Sequence, residues 1–126
     1  MSTRTAQGAK TLARRYYTGE DVYEAETRKV FFEQWIYAGR ASMLDGPGSY
    51  FLCEIESESI IVLEDGEHEI RAHHNVCRHR GTRLLTESEG RLSKSIQCRY
   101  HAWTYALDGS LIGAPFMDEV ESFCQD

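Results

Sequence analysis

The chain has 126 residues, of which 41% are hydrophobic and 27% charged. That is enough for one domain with one modest core, and too ordinary for a disordered tail or a collagen-like or mucin-like repeat. Its longest apolar runs, such as Ser59 to Leu63 and Val30 to Phe32, fall far short of the roughly 20 residues a membrane-spanning helix needs, so no membrane partner is expected. A net charge of −6 disfavours nucleic acid as a partner as well. The charge is unevenly spread: Arg71 to His101 holds seven basic and two acidic residues, a basic island in an acidic chain.

The first 19 residues carry Arg4, Lys10, Arg14 and Arg15 without an acidic residue, and read as a frayed start. A helix follows. Asp21 is placed to cap it, Glu24 stands where a capping box needs it, and Val22, Ala25, Val30, Phe31 and Trp35 give it apolar spacing, with an end before Gly39. Gly46-Pro47-Gly48-Ser49 is a turn, after which the chain changes to short runs rich in β-branched and aromatic residues. Strands are expected around Tyr50 to Ile55, Ser59 to Leu63 and Ile70 to His74, with Asp65-Gly66 turning between the last two. Further strands are expected at Ser95 to Gln97, Trp103 to Leu107 and Ser110 to Ile112. Asp108-Gly109 predicts a two-residue type I′ hairpin between the final pair. The fold class is therefore mainly β, a small antiparallel domain with an N-terminal helix. Residues 1–40 form the arm and helix, 41–115 the β domain, and 116–126 an acidic linker in which only Phe116, Met117 and Phe123 have core-forming character.

The informative residues are Cys77-Arg78-His79 and Cys98-Arg99-Tyr100-His101, a C-x-H-x18-C-x2-H pattern. In extended chain, residues two apart point the same way and lie about 6.6 Å apart, which is wide for two donors on one tetrahedral ion. Zinc fingers leave more residues between their paired ligands. The pitch fits better if each loop sends one donor to each of two metal ions, as in a 2Fe-2S cluster held by two thiolates and two imidazoles. A structural zinc site and uncoordinated core residues remain the alternatives. With two of the four cysteines beside histidines and no signal-peptide pattern, a reducing, cytoplasmic setting is expected rather than a disulfide scaffold.

These residues, together with Tyr16-Tyr17-Thr18, Trp35-Ile36-Tyr37-Ala38-Gly39-Arg40, Asn75-Val76-Cys77-Arg78-His79-Arg80-Gly81, Cys98-Arg99-Tyr100-His101-Ala102-Trp103, Asp108-Gly109-Ser110-Leu111 and Ala114-Pro115, make the chain resemble the Rieske domains of ring-hydroxylating oxygenase α subunits. Within that family it looks nearest to the choline and glycine betaine oxygenase-like branch. The resemblance implies a Rieske 2Fe-2S cluster with Cys77 and Cys98 on the buried iron and His79 and His101 on the outer one. It implies electron transfer from a ferredoxin or flavin reductase to a mononuclear Fe(II) held in a catalytic domain beyond these residues, so that this chain alone moves electrons. A homotrimer is implied for the full-length protein. Two departures stand out: the interval between the loops is slightly longer than usual, expected to be absorbed by a turn around Thr86 to Gly90, and Ala102 replaces the usual glycine after the second histidine. Thr82, Tyr100 and Trp103 stand where respiratory Rieske proteins have a disulfide and a serine, so the expected potential is near about −150 mV, the low end of the Rieske range. A stand-alone Rieske ferredoxin, a structural zinc module and a metal-free binding domain are the competing functions.

Other residues invite roles. His73 and His74 precede the first loop and read as strand-end histidines in polar niches, with a part in hydrogen-bonding the ligands or in an electron exit as the alternative. His68 reads as a solvated turn residue. Cys53 and Cys124 receive no role. Arg78, Arg80, Arg83 and Arg99 crowd the loops, either as a docking face for an acidic electron donor or as partners in internal salt bridges. Gly81 is expected to supply positive φ or close approach, and Trp103 and Tyr100 to pack beside the metal centre.

Overall fold

The computed structural model describes Gly8 and residues 10–117, 119, 120 and 123, so most of the expected frayed start lies outside the described residues. The chain divides into two units, residues 1–36 and 37–126. In the first, α1 (Arg15–Thr18) stops at Gly19, whose N–H donates to the Arg15 carbonyl, and α2 (Glu20–Glu26) begins at once. The expected Asp21 cap is not made: Asp21 lies inside the first turn, Gly19 holds the capping position, and no side chain bonds to it. A Cβ at Gly19 would sit 2.6 Å from the Arg15 carbonyl oxygen, so the break falls on the residue that tolerates such crowding. The helix continues into a π turn over Thr27–Phe31, closed by the Phe32 N–H on the Thr27 carbonyl. It ends before Trp35, which is fully exposed. No residue of these helical segments is buried.

The second unit is two antiparallel sheets. One has the order β3-β2-β1-β4 and the other β5-β6-β7, built from β1 (Ser49–Ile55), β2 (Glu58–Glu64), β3 (Ile70–His74), β4 (Glu89–Arg91), β5 (Ser95–Gln97), β6 (Thr104–Ala106) and β7 (Leu111–Gly113). Strand alternation divides the apolar residues between two clusters. Tyr50, Ile61 and Leu63 join Leu84, Ile96, Trp103, Tyr105, Leu107 and Ala114 in the main core, which also contains Cys77 and Cys98, while Phe51 and Val62 pack with Leu44 on the opposite face. Ile61 and Leu63 are wholly enclosed, each burial contributing about 1.5–3 kcal/mol. Met117 and Phe123 pack against the main core, whereas Phe116 is 91% exposed.

Two expectations change, and one gains detail. The interval Thr86 to Gly90 is not simply an open turn: its end enters β4, which pairs Ser49 with Arg91 and Phe51 with Glu89. The β2–β3 connection turns at Asp65-Gly66 as expected, the His68 N–H bonding back to Asp65 O at 3.2 Å, and it is His68 that takes the positive φ. Asp65 organises that loop, its Oδ1 accepting from the Glu67 and Glu69 amides and its Oδ2 from Arg71 Nε at 2.8 Å. The last hairpin is not the expected type I′ turn, because only Gly109 of the Asp108-Gly109 pair has positive φ. The Gly109 N–H bonds to Ala106 O and the Ala106 N–H to Ser110 O, giving a three-residue loop with a left-handed glycine. His73 Nε2 lies 2.9 Å from Leu107 O, and its ring covers Gly109 so closely that a Cβ there would clash at 2.7 Å. His73 thus ties β3 to the far hairpin, as a histidine in a polar niche.

Candidate metal centre

Two loops carry the four donor residues. Loop 1, Cys77–Thr82, follows β3; loop 2, Cys98–Trp103, joins β5 to β6. They share one backbone frame. In loop 1 the Cys77 N–H bonds to Thr82 O at 2.8 Å and the Gly81 N–H to Cys77 O at 2.9 Å; in loop 2 the Cys98 N–H bonds to Trp103 O at 2.8 Å and the Ala102 N–H to Cys98 O at 3.0 Å. The fourth residue after each cysteine turns the corner with positive φ, Gly81 at 70° and Ala102 at 59°. Gly81 serves backbone conformation and not close approach, since a Cβ there would meet nothing within 4 Å. Ala102 keeps the frame in spite of its methyl group.

The frame places sulfur inside and nitrogen outside. Cys77 and Cys98 are 2% and 3% exposed, and their thiols are close enough to interact. Burial pushes the Cys98 thiol up, but the backbone amides of Tyr100 and His101 and the Cys77 thiol outweigh it, so its pKa falls. The Tyr105 hydroxyl lies 3.3 Å from Cys77 Sγ and accepts from the Arg78 N–H at 3.1 Å. Burial and the neighbouring Cys77 push the Tyr105 phenol up to about 12, so it keeps its proton. The His79 and His101 rings meet edge to face with centroids 4.8 Å apart. Trp103 stacks on His79 at 4.9 Å, and Tyr100 leans on His101 at 3.8 Å. Burial first, then His101 and Arg80, lower the His79 pKa, favouring the neutral imidazole that binds metal. The donors fall into a thiol pair and an imidazole pair. Two thiolates with two neutral imidazoles is the donor chemistry of a mixed-ligand dinuclear iron–sulfur centre.

The remaining residues divide clearly. Arg83 is held internally: its Nη2 reaches Glu54 Oε1 and Ser59 Oγ, and its Nε reaches Leu85 O. Arg78, Arg80 and Arg99 are exposed, and among the described residues no carboxylate forms an ion pair with them. His68 is an exposed turn residue against Glu64, and His74 faces Glu58 at 3.6 Å. Cys53 is half-buried against the second cluster, and Cys124 lies outside the described residues. Sequence reasoning assigned no role to Tyr105 or to Asn75, a buried amide two residues before Cys77. Their partners lie 9 to 28 residues away, beyond any local pattern.

Residues 34–124 match the family described as "Rieske [2Fe-2S] domain". The chain is 39% identical over 111 residues to the glycine betaine monooxygenase oxygenase subunit of Chromohalobacter salexigens, covering 88% of this chain and 25% of that protein. It is 40% identical over 115 residues to the carnitine monooxygenase oxygenase subunit of Acinetobacter baumannii, covering 91% and 31%. Among solved structures, the apo form of the quaternary ammonium Rieske monooxygenase CntA matches with a TM-score of 0.88 at 38% identity, covering 92% of this chain and 34% of that one. Naphthalene 1,2-dioxygenase from Rhodococcus sp. matches with a TM-score of 0.78 at 31% identity, covering 83% and 24%. The chain thus spans about a quarter to a third of the length of these relatives.

Proposed function

We propose that this chain, which belongs to the Rieske 2Fe-2S domain family, holds its cluster between Cys77, His79, Cys98 and His101 and passes single electrons through it. The observation that carries this reading is the pair of loops with one backbone frame, two buried thiols within and two imidazoles edge to face without. When bound, the cluster supplies a one-electron couple. With two thiolates and two neutral imidazoles its oxidised form has no net charge, whereas four thiolates would leave it doubly negative and harder to reduce. The protein's part is to hold Cys98 as thiolate with the amides of Tyr100 and His101, to donate a hydrogen bond from Tyr105 to Cys77, and to keep water from the sulfurs. Trp103 and Tyr100 fix the planes of the imidazoles. These surrounding contacts tune a metal centre as much as its ligands do.

The kinship with oxygenase subunits of monooxygenases and dioxygenases places the chain among oxidoreductases. Within that class the electron donor is a ferredoxin or flavin reductase, and the acceptor a mononuclear iron carried outside these 126 residues. In this reading the whole protein is a cytoplasmic homotrimer acting on a quaternary ammonium compound; the names of its relatives support the substrate class alone. No helix among the described residues is long and apolar enough to cross a membrane. Arg78, Arg80 and Arg99, which pair with no carboxylate among the described residues and stand directly beside the donor residues, favour docking of an acidic electron donor, since opposite charge speeds encounter; Arg83 is occupied and drops out of that surface.

Iron and acid-labile sulfide analysis tests the core of the reading, with visible spectra before and after dithionite. Two irons and two sulfides per chain and a reducible chromophore are expected; a colourless, redox-silent zinc protein would overturn it. Replacing His79 or His101 with cysteine lowers the potential or loses the cluster, whereas replacing His73 does neither.

A further inference from the structure

The two loops are anchored by different means. Loop 2 stands on a ladder: β5 and β6 pair Gln97 with Thr104, the residues immediately outside Cys98 and Trp103. The Gln97 amide also reaches Thr104 Oγ1, which bonds to the Ala102 carbonyl. Loop 1 has no such base. It enters from β3 but leaves into residues 83–88, which belong to no strand, so no strand ladder continues beneath its closing Cys77–Thr82 bond.

Asn75 occupies the gap. It is 4% exposed and bonds both ways across the loop's foot. Its Oδ1 accepts from the amides of Leu84 at 3.1 Å and Leu85 at 2.8 Å, and its Nδ2 donates to Leu85 O at 2.7 Å and to Ser59 Oγ at 3.1 Å. Its own N–H donates to Ser59 O at 2.8 Å. The side chain's two amide protons and both acceptor sites are therefore used. Ser59 passes the restraint outward, since its hydroxyl donates to Glu54 at 2.9 Å and accepts from Arg83, whose Nε holds Leu85 O. Both feet of loop 1, at residue 75 and at residues 83–85, are thus fastened to β1 and β2.

We propose that Asn75 is a positioning residue for the cluster: with Ser59 and Arg83 it closes the base of loop 1 and so sets the placement of Cys77 and His79, as the β5–β6 ladder does for loop 2. The inference rests on the reading of Cys77 and His79 as ligands. It assigns Asn75 no contact with metal. A buried amide of this kind rigidifies when every group is satisfied, and losing it strands several partners at once.

The test uses the iron-loaded protein and follows bleaching of its visible absorption by an iron chelator, with resonance Raman spectra of the iron–imidazole bands. The variants are Asn75→Ala and Ser59→Ala, and Val62→Ala in the other apolar cluster is the control for general destabilisation, each studied at the same interval below its own Tm. Asn75→Ala should bleach about tenfold faster than Val62→Ala with altered iron–imidazole bands, and Ser59→Ala should fall between them. Bleaching no faster than the control, with unchanged bands, overturns the proposal. Should Asn75→Ala not fold, Ser59→Ala decides by the same comparison. His79→Ala in the same assay separates the two readings: a normal cluster in that variant sinks the ligand assignment, whereas cluster loss there beside ordinary bleaching in Asn75→Ala sinks the positioning role alone.

Discussion

The shared frame of the two loops makes a paired prediction. At the corner of loop 2, Ala102 holds φ 59°, and at the matching corner of loop 1, Gly81 holds φ 70°. A β-carbon in that left-handed region costs about 1–2 kcal/mol, while glycine costs about 0.5–1 kcal/mol through the extra freedom of the unfolded chain. Ala102→Gly should therefore stabilise the protein by about 0.5–1 kcal/mol. Gly81→Ala should destabilise it by a similar amount, because the added methyl meets no atom within 4 Å and only backbone strain acts. Urea unfolding of the iron-loaded protein reads both, with midpoints moving in opposite directions and slopes unchanged, or Tm shifting by about 2–4 °C each way. Changes of the same sign, or a destabilised Ala102→Gly, would refute the claim that both corners do the same job.

Tyr105→Phe removes the hydroxyl beside Cys77 Sγ. Because donation to sulfur favours the electron-rich form, losing about 1 kcal/mol of hydrogen bonding should lower the one-electron potential by about 40 mV, and protein-film voltammetry showing no change or a rise would contradict the assignment. Charge reversal at Arg78, Arg80 or Arg99 should slow reduction by an acidic ferredoxin at low salt and little at high salt. Arg83→Gln should instead lower stability with the salt dependence kept, and equal kinetic effects from all four would sink the distinction between them. The Arg71 side chain first, then the Glu69 amide, hold the Asp65 carboxyl below its usual range. Its stabilisation is therefore present above about pH 3.9 and lost as pH falls through its lower folded value. Asp65→Asn should be less stable than wild type at neutral pH, with the gap closing in acid; a gap that stays constant across urea titrations from pH 7 to 3 would count against it.

The sequence makes the candidate centre of this molecule visible because its cues are local. Cys77, His79, Cys98 and His101 stand at fixed short spacings, and the alternation of Tyr50 to Ile55 and Ser59 to Leu63 matches strands with one apolar cluster on each face. β4 escaped notice because Glu89, Gly90 and Arg91 are all exposed: a polar edge strand is held by backbone pairing to β1 and leaves no apolar signature. Asp108-Gly109 marks the hairpin but not its turn type, because the number of residues in the loop follows from the register of β6 against β7. Arg83 could not be sorted from Arg78, Arg80 and Arg99 by composition. Its partner Glu54 lies 29 residues away and meets it only when β1 and the foot of loop 1 come together.

Loops 1 and 2 close with the same bonds, yet the imidazole is borne on the second residue after cysteine in one and the third in the other. The scaffold therefore fixes the sulfur and leaves the nitrogen free to slide by one place, and the slide breaks what would otherwise be a twofold arrangement: one ring is roofed by indole, while the other leans on an exposed phenol. A carrier built this way has a back and a front. On the proposed reading the ring roofed by Trp103 is the sheltered side, and His101, exposed together with Tyr100, is the side open to a docking donor.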